Sequence, residues 1–539
     1  MTIESYSSIK EGWLQRYAEG ESQVASLYDY RPSGDERRRH KELMDHSYDR
    51  SELQKALQTY QSNFLYNEQA LEQIKKFSSD ESTVIVGGQQ AGLFTGPIYT
   101  IAKALSIVEK AKEQEAALGT PVVPVFWIAG EDHDWEEVNH VYVHTPDNRL
   151  QKVKYEGHAS QRVAVTNQKL DEQAMRKMID ELFYHLGETE HTKELHHVVS
   201  RFAKRSNSPS RFFAELLLWL FKDDGLVVMD AEEPVFRSMM ADLWQELLLY
   251  NDEVRGHFAT ACNRVEQLGE EPFILLSNDH THLFYKDDGY REKIVAHDDG
   301  DLSLESGRFK MSKGDWSEWG AKEPDRFSSN VYTRPFAQER MLPVLGFVSG
   351  PGELKYWSMV QPLFHQFRRQ VPPVIPRVQQ TFVDRKSAKA LQSAGLPVIQ
   401  VTEEGTKERQ WKLKRDSEQL DTGALLEASK PDARQALQPL REALLGLSAS
   451  EERFANKKYD DVLHVLEEMQ ARVDLVQYAR VQPEIERLKF AEHRLSPEQK
   501  PQERMLNILQ VLNEGGVSRF RQLMSEANVA DFEHHILYI

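Results

Sequence analysis

The chain has 539 residues, 40% of them hydrophobic and 28% charged, and 67 basic against 85 acidic side chains give a formal net charge of −18. This balance is typical of a folded protein with a sizeable core, and the acidic surplus argues against duplex nucleic acid as the main partner. The single cysteine, Cys262, excludes an internal disulfide framework and a cysteine-rich zinc site.

The N-terminal part, residues 1–82, is predicted to be a helical lead-in packed on the core. The stretch SELQKALQTYQSNFLYNEQALEQIKKF repeats apolar residues at helical spacing. The first residues, MTIESYSSIKEGW, are too polar for a signal peptide, and no run of about 18 uninterrupted apolar residues follows. We therefore expect a cytoplasmic protein without a membrane partner.

The core is predicted to begin at residue 83 with a βαβ unit. A β-branched run opens TVIVGGQQAGLFTGP, and the next segment places Ile98, Ile101, Leu105 and Val108 on one helix face. The apolar run VVPVFWIAG supplies the second strand. Strand, glycine turn, helix and strand in this order predict a parallel sheet.

The middle of the chain predicts further strands. GLVVMD (225–230) and EPFILL (271–276) have the composition of buried strands, and LFYKDDGYREKIV has that of a hairpin closed by a DDG turn. The stretch MLPVLGFVSGPGELKYWSMVQPLFHQF then repeats the order of strand, glycine turn and helix. The fold class predicted is therefore α/β.

From about 385 to 500 the chain becomes rich in Lys, Glu, Arg, Gln, Leu and Ala. This composition predicts long amphipathic helices. The segment ERFANKKYDDVLHVLEEMQARVDLVQYARV is predicted to form one long amphipathic helix, with apolar residues at Val462, Leu466, Met469, Val473 and Val476. Because this stripe has little core of its own, we expect a second copy of the chain to cover it.

The glycine turn GGQQAGLFTGP is the strongest functional signal. A glycine-rich loop between a buried strand and a helix leaves backbone N–H groups free to bind a phosphate or carboxylate. Thr95 and Gly96 would lie near the helix start, and Tyr99 and Lys103 would share one face of the helix. The loop lacks the spacings of the dinucleotide fingerprint and the P-loop. The alternative is a tight turn that needs glycine for its geometry alone.

The second strand is followed directly by GEDHDWEEV, which places Asp132, His133 and Asp134 at the same edge of the sheet. Packed acids can hold an ammonium group, raise the pKa of one another or bind a divalent cation. His133 could accept the proton of an attacking amine. The alternative is an acidic helix start, favoured by the helix dipole.

The later turn GPGELKYW repeats this logic. Gly350 and Gly352 would allow close backbone approach, and Glu353 and Tyr356 begin the next helix. The nearby SNVYTRP adds two more candidates, Asn330 and Arg334. The arginine could bind a substrate carboxylate through two hydrogen bonds, or form only a surface salt bridge.

Three further patterns carry less weight. KMSK at residues 310–313 matches the mobile ATP loop of class I aminoacyl-tRNA synthetases but precedes the GPGE strand, which favours a chance match. His280 and His282 alternate along one strand without a third metal ligand. His196 and His197 lack the i, i+4 partner that a helical metal site needs.

The strings GGQQAGLFTGPIYTIAKA, FWIAGEDHDWEEVNH, SNVYTRP, GPGELKYW and PQERMLN resemble the BshC family of bacillithiol biosynthesis cysteine-adding enzymes over essentially the whole chain. The resemblance implies a Rossmann-like core at 83–384 with connecting-peptide insertions at about 146–224 and 255–330. It also implies a coiled-coil arm at 385–500 that makes a homodimer, and the C-terminal segment, 501–539, is expected to return to the core.

The resemblance implies the last step of bacillithiol synthesis, in which cysteine is joined to glucosaminyl-malate through an amide. Such a step requires activation of a carboxylate, and ATP or another nucleotide is the expected source. The sequence departs from class I synthetases, because GLFTGP replaces an HxGH-type pair and no cysteine-rich zinc site exists. The alternatives are a nucleotidyltransferase acting on another small substrate and a non-catalytic coiled-coil protein that senses a ligand.

These arguments assign three groups of residues and no metal ligand. The catalytic candidates are His133, Asp132, Asp134 and Glu353. The substrate-binding candidates are Gln89, Gln90, Thr95, Gly96, Tyr99, Lys103, Asn330, Arg334 and Tyr356. The nucleotide-binding candidates are Gly87, Gly88, Gly92, Gly350 and Gly352.

Overall fold

The computed structural model describes residues 3–9, 12–160, 162–527 and 532–539. The chain forms two compact units. Unit 1 comprises Met1–Val383 and Lys500–Ile539, and unit 2 comprises Asp384–Gln499. None of the helices in the described ranges is both long enough and apolar enough to cross a membrane.

The N-terminal part of unit 1 is mainly helical. It contains strand β1 (Ile3–Ser7) and helices α1 (Trp13–Ala18), α2 (Ser22–Ala25), α3 (Glu36–Met44), α4 (Arg50–Gln61) and α5 (Glu68–Lys75). The side chain of Asp49 caps α4 by accepting from the Glu52 N–H, and the apolar face of α4 buries Leu53 and Leu57. The sequence analysis missed β1, whose alternation of polar residues gives no apolar run to detect.

The central sheet is parallel and has the order β12-β11-β2-β3-β6. The first part of the core consists of β2 (Thr83–Gln89), α6 (Tyr99–Leu118), β3 (Val122–Ile128), α7 (Trp135–Val138), β4 (His140–His144), β5 (Leu150–Lys154), α8 (Glu172–Leu186), α9 (Thr192–Arg205), α10 (Pro209–Leu220) and β6 (Val227–Asp230). Strand β3 is fully buried, as expected for a parallel strand covered on both faces.

The second part of the core adds an antiparallel sheet and supplies β11 and β12, the last two strands of the central sheet. It consists of α11 (Pro234–Ser238), α12 (Ala241–Leu249), α13 (Asn251–Glu266), β7 (His280–Asp287), β8 (Tyr290–Ala296), β9 (Leu302–Leu304), α14 (Lys313–Lys322), β10 (Phe327–Ser329), α15 (Arg334–Met341), β11 (Val344–Ser349), α16 (Pro351–Trp357), α17 (Gln361–Gln366), β12 (Val374–Pro376) and β13 (Gln379–Val383). The antiparallel sheet has the order β10-β7-β8-β9.

The predicted strand at EPFILL (271–276) is wrong. These residues form no strand, and Leu275 is 80% exposed. Pro272 lacks a backbone N–H, while Phe273 packs edge-on against Trp13 and Ile274 is buried. A short apolar run can therefore anchor a loop as well as form a strand.

Unit 2 is helical. It consists of α18 (Arg385–Ala394), α19 (Val398–Glu404), α20 (Lys407–Ser417), α21 (Thr422–Leu447), α22 (Glu452–Tyr478) and α23 (Gln482–Leu495). The two longest helices run antiparallel, because Thr422 Oγ1 donates to Asp474 at 2.7 Å near one end and Arg441 faces Glu452 at 3.8 Å near the other. The predicted α/β core and long helical arm are thus confirmed.

The C-terminal segment belongs to unit 1. It consists of α24 (Gln502–Met505), α25 (Ile508–Gly515), α26 (Val517–Glu526) and β14 (Glu533–Tyr538). Strand β14 lies between β1 and β13, antiparallel to β1 and parallel to β13. Both ends of unit 1 therefore meet in one small sheet.

Candidate active site

A cavity of about 610 Å³ lies at the carboxyl edge of the central sheet. Its walls come from the ends of β2, β3 and β11, from the β7–β8 hairpin and from α24. The charged side chains that line it are Lys103, Glu131, Asp132, Arg291, Lys293, Arg334, Glu353, Arg377 and Arg504. Its size is typical of a small-molecule site.

The strand order explains the position of the cavity. The chain proceeds from β2 through β3 to β6 and then returns to the other side of β2 to form β11 and β12. The connections after β2 and β11 therefore leave the sheet in opposite directions and open a crevice between them. Gly88 at the end of β2 and Gly350 after β11 both line the cavity.

Lys103 and Glu353 form the centre of one wall. The buried Lys103 ammonium donates to Glu353 Oε2, to the Gly88 carbonyl at 2.6 Å and to Gln89 Oε1 at 3.2 Å. Glu353 Oε2 also accepts from the Gly350 N–H at 2.7 Å. Burial lowers the pKa of Lys103, and the charge of Glu353 opposes that shift. The pair joins α6 to the start of α16.

The loop after β3 supplies a second polar wall. Asp132 accepts from Gln90 Nε2 at 2.8 Å and from the His133 N–H at 2.7 Å. Burial opposes its ionisation, but the hydrogen bond from Gln90 and the charge of Arg291 prevail and lower the pKa of Asp132. Asp132 is therefore an ionised carboxylate whose oxygens are already engaged.

His133 lines the cavity but faces a cation. The Arg291 guanidinium donates to His133 Nδ1 at 3.2 Å, so that the proton of the neutral ring lies on Nε2. Burial and the charge of Arg291 lower the pKa of His133. The geometry does not support the predicted role of this ring as a base, because the lone pair of the neutral imidazole is occupied.

Arg334 and Tyr356 meet in another part of the cavity lining. Arg334 Nη2 donates to the Tyr356 hydroxyl at 3.4 Å, and burial raises the pKa of Tyr356 to about 12. Within the described ranges no carboxylate lies within 4.0 Å of the Arg334 guanidinium. Arg377, in contrast, forms a bidentate pair with the buried Glu503 at 2.6 and 2.8 Å. Arg334 is thus available to bind an anion.

The remaining predicted residues divide into two groups. Gln89, Tyr99, Asn330 and Gly352 also line the cavity. Asn330 is held by its own loop, because its Oδ1 accepts from the N–H groups of Tyr332 and Thr333 at 2.9 and 3.1 Å. The residues that do not line it are Gly87, Gly92, Thr95, Gly96 and Asp134.

The glycine turn has a structural role, which corrects the predicted anion site at Gly92, Thr95 and Gly96. Asn507 Nδ2 donates to the carbonyls of Phe94 and Gly96 at 2.9 and 2.7 Å, and the Ile98 N–H donates to the Leu506 carbonyl at 2.9 Å. The two carbonyls are acceptors and cannot bind an anion, and the Ile98 N–H, which could donate to one, is already occupied. The later part of the turn, from Gly92 to Gly96, packs against the C-terminal segment, whereas Gly88, Gln89 and Gln90 at its start line the cavity.

Gly87 and Asp134 also lie outside the lining of the cavity. A Cβ on Gly87 would lie 2.8 Å from the Val348 carbonyl, so this glycine permits close packing of β2 against β11. Asp134 lines a neighbouring cavity of about 760 Å³, which shares His133 with the first. The nucleotide-binding assignment of Gly87 and the catalytic assignment of Asp134 therefore do not fit their positions.

The weaker sequence patterns have local explanations. Ser312 of KMSK caps α14 by accepting from the Asp315 N–H at 3.2 Å, and Lys310 and Lys313 pair with Asp299 and Asp252. His196 contacts Asp180 at 2.9 Å. None of these residues lines the cavity in the part of the chain that the structure describes.

His280 and His282 are stacked and buried, with ring centroids 5.6 Å apart. Burial lowers the pKa of His280 to about 4 and that of His282 to about 3, so both rings are neutral at physiological pH. Across residues 3–9, 12–160, 162–527 and 532–539, no group of three or more His, Cys, Asp or Glu side chains is arranged to hold a metal ion.

The sequence analysis missed several residues of the cavity. Glu131 belongs to the acidic string GEDHDWEEV and could have been singled out, because it is the first acid after β3. Arg291, Arg377 and Arg504 come from distant segments and carry no local pattern. Three buried polar atoms of the cavity lining have no hydrogen-bond partner among the described residues: Trp127 Nε1, Glu131 Oε2 and Gln338 Oε1.

Two family models match the chain. The model described as "Bacillithiol biosynthesis BshC, N-terminal Rossmann-like domain" matches residues 1–378, and "Bacillithiol biosynthesis BshC, C-terminal coiled-coil domain" matches residues 380–539. The first match contains β2, β3, β11 and the residues that line the cavity, except Arg504.

Several relatives named "Putative cysteine ligase BshC" are similar over nearly the full length. The protein of Halalkalibacterium halodurans is 34% identical over 512 residues, which cover 94% of each chain. That of Oceanobacillus iheyensis is 29% identical over 536 residues, covering 98% of this chain and 97% of the relative. That of Bacillus cereus is 31% identical over 556 aligned positions, covering both chains completely.

Proposed function

The chain belongs to the BshC family of bacillithiol biosynthesis, and from that membership we propose that it joins cysteine to glucosaminyl-malate through an amide bond. The observation that carries the proposal is the cavity at the switch between β2 and β11. It combines an arginine that lacks a carboxylate partner with acidic side chains, as the binding of an anionic substrate that bears an amine requires.

The substrate carboxylates are proposed to bind at the Arg334 side of the cavity. The Arg334 guanidinium donates a hydrogen bond to the Tyr356 hydroxyl, and Arg504 lies exposed on the same lining. A guanidinium binds a carboxylate through two parallel hydrogen bonds. In this proposal Gln89 and Tyr99 contact the sugar, because their polar groups lie beside Lys103 on the adjoining wall.

The cysteine carboxylate is proposed to be activated by a nucleoside triphosphate. An amide does not form directly from a carboxylate and an amine at a useful rate, so an acyl phosphate or an acyl adenylate must come first. Gly352 leaves space for a phosphate group, since no atom lies within 4 Å of the position where a Cβ would stand. Gly88 and Gly350 line the same cavity.

The test is a reaction of the purified protein with cysteine and glucosaminyl-malate, with and without each nucleoside triphosphate, followed by mass spectrometry. We expect the cysteinyl amide to form only when all three substrates are present. Release of pyrophosphate without an amide product would instead select a nucleotidyltransferase. Ligand binding without any product would select a ligand sensor.

A binding control uses Arg334→Lys, which keeps the charge but removes the planar fork. Its KM for glucosaminyl-malate should rise about tenfold or more, while its KM for cysteine changes less, because a bidentate contact to a carboxylate is lost. Equal KM values for the wild type and the variant would place the carboxylates elsewhere.

A further inference from the structure

Four acidic or histidine side chains follow β3 and β11 in the cavity lining, and three of them are already engaged as hydrogen-bond acceptors. Asp132 accepts from Gln90 and from backbone N–H groups. Glu353 Oε2 accepts from Lys103 and from Gly350. His133 Nδ1 accepts from Arg291. Each of these acceptors would have to break a contact before it could take a proton.

Glu131 is the fourth side chain and differs from the others. It is 4% exposed, lines the cavity, and its Oε2 has no hydrogen-bond partner within the described residues. A buried carboxylate oxygen without a partner is costly, and a fold gains nothing from it. Such a group points to a ligand that donates the missing hydrogen bond.

We propose that Glu131 is the catalytic base that accepts a proton from the attacking amine, an inference that rests on the proposed amide-forming function. The amine of glucosaminyl-malate enters as an ammonium group and donates its first proton to Glu131 Oε2. The freed lone pair forms the C–N bond to the activated cysteine carboxyl, and the bond from that carbon to the leaving phosphate or nucleoside monophosphate breaks. The second proton leaves with that group.

The loop holds Glu131 firmly at the end of β3. The Thr166 N–H donates to the Gly130 carbonyl at 3.1 Å, and the Val165 N–H donates to the Asp132 carbonyl at 2.7 Å. The residues on both sides of Glu131 are thus fixed by backbone hydrogen bonds. A base placed in this way needs no rearrangement of the main chain before it acts.

The charges around Glu131 suit this role. Burial raises the pKa of Glu131, and the positive charges of Arg334 and Arg291, a hydrogen bond from its own backbone and the charge of Arg237 limit the rise. These three guanidiniums come from α15, β8 and α11, the elements packed around the loop. Burial makes the carboxylate a stronger base than an exposed glutamate, and the nearby cations favour its ionised form.

The test compares Glu131→Gln with the matched control Glu136→Gln. Glu136 lies in the same acidic string but is exposed and pairs with Lys154 at 2.7 Å. With all three substrates saturating, Glu131→Gln should form the amide at least about 10²-fold more slowly, with KM values near those of the wild type. Glu136→Gln should keep the wild-type rate, and Glu131→Asp should recover part of it.

Two further readouts separate catalysis from a structural role. The rate of Glu131→Gln should rise with pH over a range in which the wild type is constant, because solvent must then remove the ammonium proton. Its thermal unfolding midpoint at neutral pH should equal or exceed that of the wild type. The pKa of Glu131 is higher in the folded state than in the unfolded chain, so above the unfolded-state pKa ionised Glu131 destabilises the fold. Glutamine cannot ionise and removes this destabilisation.

The outcomes distinguish this inference from the proposed function. If the wild type forms no amide with any nucleotide, the proposed function is wrong, and the role proposed for Glu131 is wrong with it. If the wild type forms the amide and Glu131→Gln forms it at the same rate, the function stands and the role of Glu131 is overturned. A Glu131→Gln protein that loses activity only together with its folded state would also overturn the role, provided that Glu131→Asp behaves in the same way.

Discussion

Gly130 shows how a single residue without a side chain positions the polar loop after β3. A Cβ at this position would lie 1.9 Å from Thr166 Oγ1 and 2.2 Å from Asp230 Oδ1. Thr166 donates to Asp230 Oδ2 at 2.6 Å, so both side chains belong to one partly buried hydrogen-bonded pair. Gly130 therefore lets the loop pass directly over this pair.

We expect Gly130→Ala to destabilise unit 1 by about 1–3 kcal/mol, because the added methyl group overpacks a buried polar contact. Gly352→Ala is the matched control, since its Cβ would meet no atom within 4 Å and its helical position favours alanine. Thermal unfolding of both variants measures the difference. Equal midpoints would show that the side chains of Thr166 and Asp230 move to accommodate the methyl group without loss of stability.

Asp230 gives the molecule a titration near neutral pH. It is fully buried at the end of β6, and burial raises its pKa to about 7. A raised folded-state pKa stabilises the fold below the pKa of the unfolded chain, and this stabilisation is lost as the pH rises through about 7. The charged form of Asp230 therefore destabilises the folded state at alkaline pH.

Asp230→Asn should therefore gain stability relative to the wild type as the pH rises from about 4 to about 8, by a few kcal/mol at most. Urea unfolding at a series of pH values gives the two curves. They should converge at the acid end, where the wild-type carboxyl is neutral as well. Curves that remain parallel over the whole range would contradict the titration of Asp230.

Among the elements, the glycine turn depends on the C-terminal segment. Asn507 is buried, donates to the carbonyls of Phe94 and Gly96, and accepts from the Leu509 N–H at 3.0 Å to cap α25. Gly96 adopts a φ of 67°, which favours glycine. One side chain thus fixes both the turn after β2 and the start of a helix.

We expect Asn507→Ala to lower the free energy of unfolding by roughly 2–4 kcal/mol, since it leaves two buried carbonyls without donors and removes a helix cap. The exposed Asn278→Ala serves as the control and should differ little from the wild type. Chemical unfolding followed by circular dichroism gives both values. A loss below about 0.5 kcal/mol would mean that water or a neighbouring group replaces Asn507.

The sequence predicted the elements whose signals are local. β2, β3 and β11 are β-branched runs followed by glycine or acidic turns, and their parallel pairing brings Asp132 and Glu353 to one edge of the sheet. Arg291 and Arg504 could not be found in this way, because they reach the cavity from a hairpin and from the C-terminal segment. Only long-range packing decides their position.

The same distinction explains the error at the glycine turn. The turn has the composition of an anion-binding loop, yet the carbonyls of Phe94 and Gly96 and the N–H of Ile98 are bound by Asn507 and Leu506, more than 400 residues later. Local sequence does not reveal a partner at that separation. The family resemblance, in contrast, rested on long strings and is confirmed by both family models.

At the scale of the whole molecule, the apolar surface of unit 2 supports the expectation of a homodimer. On α22, Val465, Met469, Val473 and Val476 are 38–63% exposed and follow one another at spacings of four, four and three. Val462 and Leu466, which belong to the stripe predicted from sequence, are half-buried. The exposed stripe therefore shares Met469, Val473 and Val476 with the predicted one and continues through Val465 instead of Val462 and Leu466.

We expect the wild type to sediment as a dimer, and the combined variant Met469→Glu, Val473→Glu and Val476→Glu to sediment as a monomer, because three charges would have to be buried without partners. Sedimentation velocity measures both. The matched control changes three exposed residues, Lys457, Lys458 and Asp461, to Ala. A dimer that persists in the Glu variant would remove this stripe from the interface.

The return of the chain to unit 1 after Gln499 has a consequence for biosynthesis on the ribosome. The sheet order β1-β14-β13 and the cavity residue Arg504 both require residues that are translated after the whole of unit 2. While the long helices of unit 2 are translated, the first 383 residues cannot complete the fold of unit 1, because β13 still lacks its neighbour β14. The cavity becomes complete only when its last wall has been translated, so a prematurely terminated chain carries an unfinished site.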